Sequence, residues 1–142
     1  MKLRPIDDGD LDAFYEHQSD SQAAELADVP SRQRPAFDAH WAWIRAEPEI
    51  LLRTIEVDGD VAGYVFTFIS AGRRVVGYWL GRDWWGRGIA TQALADFLEL
   101  VDERPLRATV APANRASVRV LEKNGFRLLR KEPESLVFEL TQ

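Results

Sequence analysis

Between Arg74 and Val101 the chain reads RVVGYWLGRDWWGRGIATQALADFLELV, and no other stretch restricts the fold as tightly. The unbroken β-branched and aromatic run Val75–Leu80 has the composition of a buried strand, ended by Gly81. Ala90, Leu94, Phe97, Leu98 and Val101 recur at the spacing of one helix face, which predicts a helix over Gly88–Val101. Between strand and helix lies a Gly-bracketed loop, Gly81–Arg87, and Trp85-Gly86-Arg87-Gly88-Ile89-Ala90-Thr91 turns the chain into the helix. The first turn of a helix carries unpaired backbone N–H groups and the positive end of the helix dipole. Gly86 and Gly88 lack the Cβ atoms that would hold a phosphate away from those donors, so an anion such as a pyrophosphate fits the turn. The same glycines would also serve a tight turn that binds nothing.

Two common phosphate loops are excluded. A P-loop ends in Gly-Lys-Ser/Thr, whereas Gly88 is followed by Ile89 and Ala90. A dinucleotide fingerprint requires a third glycine, and Thr91 stands in its place.

The rest of the chain surrounds this unit with short elements. Lys2–Ile6 reads as a first strand, followed by a helix over Asp10–Gln18 capped by Asp7 or Asp8, with Leu11, Phe14 and Tyr15 inward. Ser19–Pro35 lacks periodicity and reads as a loop with room for a short helical piece. Ala36–Ala46 is a second helix whose stripe is Phe37, His40, Trp41 and Ile44; packing explains those aromatics, and His40 reads as a packed histidine. Glu49–Val57 and Val61–Ile69 are strands joined by the hairpin signal Asp58-Gly59-Asp60, and Ala71-Gly72-Arg73 turns into the central strand. Leu106–Val110 is a strand that the helical crossover should make a parallel neighbour of Val75–Leu80. Asn114 suits the N-cap of a helix ending at Gly125, a left-handed C′ residue, and Leu136–Leu140 closes the sheet as an antiparallel strand. Arg127, Arg130 and Lys131 read as a short solvated basic face.

The 142 residues suit one domain, 1–142, and 46% hydrophobic with 29% charged residues is an ordinary globular balance. No apolar run approaches the roughly 18 residues of a membrane span, and no signal peptide follows Met1, so a cytoplasmic protein without a membrane partner is expected. A net charge of −5 argues against nucleic acid and mildly favours amines. Cysteine is absent, which excludes disulfides, thiolate metal sites and an acyl-cysteine intermediate. His17 and His40 lack paired-ligand spacing, so no metal is expected.

The segment Trp85–Thr91 resembles the acetyl-CoA-binding motif of the GCN5-related N-acetyltransferases (GNAT), Gln/Arg-x-x-Gly-x-Gly/Ala, with Gly88 and Ala90 at its last two fixed positions. Trp85 replaces the usual Gln or Arg; that departure and the Gly77-Tyr78-Trp79-Leu80 strand resemble the branch containing the ribosomal-protein N-terminal acetyltransferases. A second segment, Asn114-Arg115-Ala116-Ser117-Val118-Arg119-Val120-Leu121-Glu122-Lys123-Asn124-Gly125-Phe126, closely resembles the family's Asn-x-x-Ser…Leu-Glu-Lys-x-Gly-Phe segment, in the expected order and at the expected distance.

The resemblance implies an α/β (α+β) fold: a mixed, mostly antiparallel sheet flanked by helices and splayed between its two central parallel strands. It implies an N-acetyltransferase that moves an acetyl group from acetyl-CoA directly to a primary amine, without an acyl-enzyme or a metal. The implied cofactor contacts are Trp79, Leu80, Trp85, Gly86, Arg87, Gly88, Ile89, Ala90, Thr91, Asn114 and Ser117. Ser117 is the implied acid for the departing thiolate, although Asn114 and Ser117 also suit simple roles in a helix's first turn. Relatives often carry a Glu where this chain has Val75, so no base is assigned; Glu25, Asp28, Glu56, His17 or a water chain are the open choices. The acceptor is a small-molecule amine or a protein N-terminus, and a homodimer is one open assembly state. The rival reading is a non-catalytic acyl-CoA-binding sensor of the same fold.

Overall fold

The computed structural model describes residues 1–20 and 32–142. A seven-stranded sheet runs in the order β1-β2-β3-β4-β5-β7-β6, with β1 Lys2–Arg4, β2 Leu51–Val57, β3 Asp60–Ser70, β4 Arg73–Leu80, β5 Leu106–Val110, β6 Arg127–Lys131 and β7 Leu136–Leu140. All neighbours are antiparallel except β4 and β5. Those two register through a single pair, Val75 with Arg107, so the mixed sheet splays open beyond it. Among the described residues the α-helices are α1 Asp10–Gln18, α2 Arg34–Ala46, α3 Ile89–Leu98 and α4 Arg115–Lys123.

The hairpin at Asp58-Gly59 forms as its composition requires, with φ of 52° and 84° at the two positions. Two cores result. The larger lies against α3 and α4 and contains Ile55, Val65, Val76, Leu94, Phe97 and Leu106. The smaller is aromatic: Phe14 of α1 and Phe37 and Trp41 of α2 pack on Leu52 and Tyr64 of the opposite face.

Several expectations are corrected. Neither Asp7 nor Asp8 caps α1, whose N-cap position is Gly9. Instead the buried Asp10 carboxylate accepts the Asp7 N–H at 2.9 Å, a two-pronged bond from Arg4 at 2.8 Å to each oxygen, and the Thr54 hydroxyl at 2.8 Å. Burial pushes the Asp10 carboxyl up, but those bonds outweigh it and hold it below its usual range. β1 ends at Arg4, not Ile6, because Pro5 has no N–H to give a ladder. α2 starts at Arg34, since a proline is tolerated in a first turn. Most of the expected Ser19–Pro35 loop lies outside the described residues.

α3 stops at Leu98; Val101 is buried beyond its end, and the buried stripe is Ile89, Ala93, Leu94 and Phe97. β4 is half-buried, not fully covered, because its C-terminal half borders open space where the sheet parts. The basic cluster Arg127, Arg130 and Lys131 is exposed as expected, but it belongs to edge strand β6, where charge blocks further pairing.

Candidate active site

The gap between β4 and β5 opens into a cavity of about 350 Å³. One wall is the turn that leads into α3. A short 3-10 turn, Arg82–Trp84, follows β4, and the Trp85 indole N–H then donates to the Leu80 carbonyl at 2.8 Å, tying the loop back onto the strand. Gly86 and Gly88 hold φ of 76° and 74°, which a β-carbon disfavours, and apart from the adjoining chain no protein atom lies within 4 Å of where that carbon would be. Gly88 is the N-cap of α3 and no side chain caps the helix, so the first-turn N–H groups of Ile89, Ala90 and Thr91 lack the usual side-chain partner. Gly86, Gly88, Ile89, Ala90 and Thr91 all line the cavity.

The opposite wall is α4. Asn114 caps it, accepting the Ser117 N–H on its side-chain oxygen at 3.2 Å. The Ser117 hydroxyl reaches across the gap to the Tyr78 hydroxyl at 2.8 Å. Burial pushes the Tyr78 phenol up, and the bond from Ser117 only partly offsets it, so Tyr78 keeps its proton near neutral pH. Asn124 joins the two walls, donating to Thr91 O at 3.2 Å and Val120 O at 3.0 Å.

Of the residues expected around a cofactor, Trp79, Leu80, Trp85, Gly86, Gly88, Ile89, Ala90, Thr91, Asn114 and Ser117 come together around this cavity. Arg87 does not line it and is exposed. The sequence reading missed Arg119 and Lys123, which follow Ser117 on the cavity side of α4; their i, i+4 spacing on that face was the available signal. Among the candidate bases, Glu25 and Asp28 lie outside the described residues. Glu56 is held by Arg4 at 2.8 Å and Lys2 at 3.4 Å, away from the cavity. His17 packs against Gly81 and Trp84, and burial lowers its pKa; it lines neither this cavity nor the next.

A second cavity, of about 520 Å³, lies on the α1–α2 side of the sheet. Tyr78, Trp79, Asn114 and Ser117 line both spaces, so the Ser117–Tyr78 pair stands at their junction. Tyr64, Phe66 and Phe68 point alternate residues of β3 into it, their ring centroids 5.8 Å apart in succession. Gly77 makes room for that ladder, because a β-carbon there would sit 2.8 Å from the Phe66 ring. His40, read from sequence as a packed histidine, lines this space and stacks on Trp43. Among the described residues no group of three His, Asp or Glu side chains converges as metal ligands would, and no helix is long and apolar enough to cross a membrane.

Comparison with known proteins bears on this arrangement. No curated protein sequence matches the chain. An aminoglycoside acetyltransferase solved with coenzyme A superposes with a TM-score of 0.84 at 18% identity, over 99% of this chain and 94% of that one. A GNAT-family acetyltransferase from Bacillus anthracis gives 0.82 at 17%, over 98% and 93% of the two chains. An acetyltransferase from Thermus thermophilus gives 0.82 at 20%, over 99% and 96%. At such identities the likeness establishes the fold. The acetyltransferase (GNAT) domain family model matches residues 1–127, nearly the whole chain. With both motif walls in place around a splayed sheet, the chain belongs to the GNAT acetyltransferase family.

Proposed function

We propose that this chain transfers an acetyl group from acetyl-CoA to the nitrogen of a primary amine. The observation that carries the reading is one juxtaposition: the uncapped first turn of α3 and the Ser117–Tyr78 pair border the same cavity. The residues fit the co-substrate. Backbone N–H groups of Ile89–Thr91 face the cavity as a phosphate site, and the cations of Arg119 and Lys123 stand on the other wall, with no carboxylate in the described lining. The cleft edge of β4, free of β5 beyond Val75, offers backbone groups to the slender arm that ends in the thioester. Because Trp85 already occupies the Leu80 carbonyl, pairing there falls to N–H donors, one of which would polarise the thioester carbonyl.

Acetyl-CoA supplies an activated acetyl group. The Ser117 hydroxyl, hydrogen-bonded to the Tyr78 hydroxyl at the junction of the two cavities, can give its proton to the sulfur leaving as the new C–N bond forms and recover one from the attacking nitrogen. The proton gained by sulfur is balanced by the one the attacking nitrogen loses. With no cysteine in the chain, direct transfer is the economical route.

Calorimetric titration with acetyl-CoA, followed by thiol release against a panel of amines and N-terminal peptides, tests the proposal. Binding with amine-dependent release is expected. Absence of binding would overturn the phosphate-site assignment, and binding without release to any amine would favour a sensor.

A further inference from the structure

The second cavity carries information about the acceptor that the family does not. Its described lining contains no Asp or Glu. Among the described residues, the ionisable side chains that line it are Arg32, His40, Tyr64 and Tyr78. Arg32 is cationic and has no carboxylate partner among the described residues. Burial, then the Arg32 charge, lowers the His40 pKa, so the imidazole is neutral near pH 7. Both phenols are pushed up by burial and stay neutral. Beside the uncharged polar side chains of Gln18, Thr109, Asn114 and Ser117, the rest is mainly aromatic and aliphatic surface, with Phe66, Phe68, Trp79, Leu52 and Ile44 among it. Tyr64, Phe66 and Phe68 are only half-buried, while their strand neighbours Val65 and Thr67, on the other face, are fully enclosed. The ladder is therefore a lined space and not a closed core.

Resting on the acetyl-transfer reading, we infer that the acceptor is a monoamine carried on an apolar, ring-bearing body and is taken up in its uncharged form. A polycation such as an aminoglycoside would have to bring each ammonium into this space with no carboxylate in the described lining to meet it and a guanidinium nearby. An aromatic body instead gains ring–ring contacts with the half-buried Phe66 and Phe68 of the β3 ladder. The same surroundings offer a route that needs no base from the described residues. An alkylammonium has a reference pKa of about 10.4, and a desolvating space whose described lining holds no carboxylate favours its neutral form, so the proton stays in bulk water when the amine enters. The nitrogen then meets the Ser117–Tyr78 junction with its lone pair free, and Val75 needs no carboxylate in its place.

Titration calorimetry on the full chain separates the possibilities. Coenzyme A is titrated first; no uptake sinks the acetyl-transfer reading itself. The saturated protein is then titrated with phenethylamine and, separately, with kanamycin. Phenethylamine is expected to bind at least about tenfold more tightly, and its dissociation constant should fall nearly tenfold between about pH 7 and pH 8, as uptake of the neutral form requires. Kanamycin binding as tightly or more tightly, or no phenethylamine binding on a protein that takes up coenzyme A, overturns the inference about the acceptor. A phenethylamine affinity flat with pH overturns uptake of the uncharged form.

Discussion

The two cavities meet at one serine–tyrosine pair but are built in different ways. The first is made largely of backbone: a helix start, two glycines at positive φ and the bare edge of a parted strand. The second draws its lining from α1, α2, β2, β3, β4, β5 and α4. A backbone site demands particular residues at fixed local spacing, so it leaves a motif. A side-chain site needs only apolar bulk arriving from many directions, which leaves no local motif. The difference predicts that the phosphate wall tolerates little change, while the aromatic space is where acceptor preference is set.

The sharpest way to break that division is Gly88→Val. It forces a β-branched residue to φ near 74° and covers the first-turn donors, so acetyl-CoA affinity should fall on the order of 100-fold with the far-ultraviolet circular dichroism unchanged. Retained affinity would remove the backbone from the binding account. Ser117→Ala tests the junction: turnover should drop about 10- to 100-fold while the KM for acetyl-CoA moves less than about threefold. Equal turnover would leave Ser117 as a first-turn residue of α4 only.

A smaller effect is expected from Gly77→Ala, whose new methyl group displaces the Phe66 ring from 2.8 Å. Phenethylamine should then bind about fivefold more weakly, with acetyl-CoA uptake unaffected. A loss of acetyl-CoA affinity instead would mean the two spaces are not independent. The mildest changes are Arg119→Ala and Lys123→Ala, each lowering acetyl-CoA affinity about two- to fivefold and less so in high salt, as partly screened charges do. An effect insensitive to salt would point to packing and not charge.

How far the sequence reached follows the same division. The bounds expected for α1, β5 and β7 match those observed, because each has strong periodicity or a compact apolar run between turn residues. Asn114 and Gly125 announced the two ends of α4 through local chemistry, and both stand as expected. Strand β6 was invisible: RLLRK is exposed throughout, and only pairing with β7 makes it a strand. Asp10 looked like an ordinary first-turn acid, since nothing local says that Arg4 and Thr54, the latter 44 residues away, converge on it. The aromatic cavity left one trace, Tyr64, Phe66 and Phe68 at alternate positions, but that alternation marks a face without saying whether it is packed or hollow.

The single rung between β4 and β5 has a consequence for the protein's behaviour in a crowded solution. Unpaired strand edges are usually a hazard, because any extended chain can add to them and seed aggregation. Here the sheet keeps its bare edge in the interior, between α3 and α4, while its outer edges are a three-residue strand on one side and a lysine- and arginine-bearing strand on the other. A slender polar chain fits such a slot more readily than a polypeptide strand, which carries side chains above and below. The fold thus holds hydrogen-bonding capacity in reserve without advertising it to its neighbours.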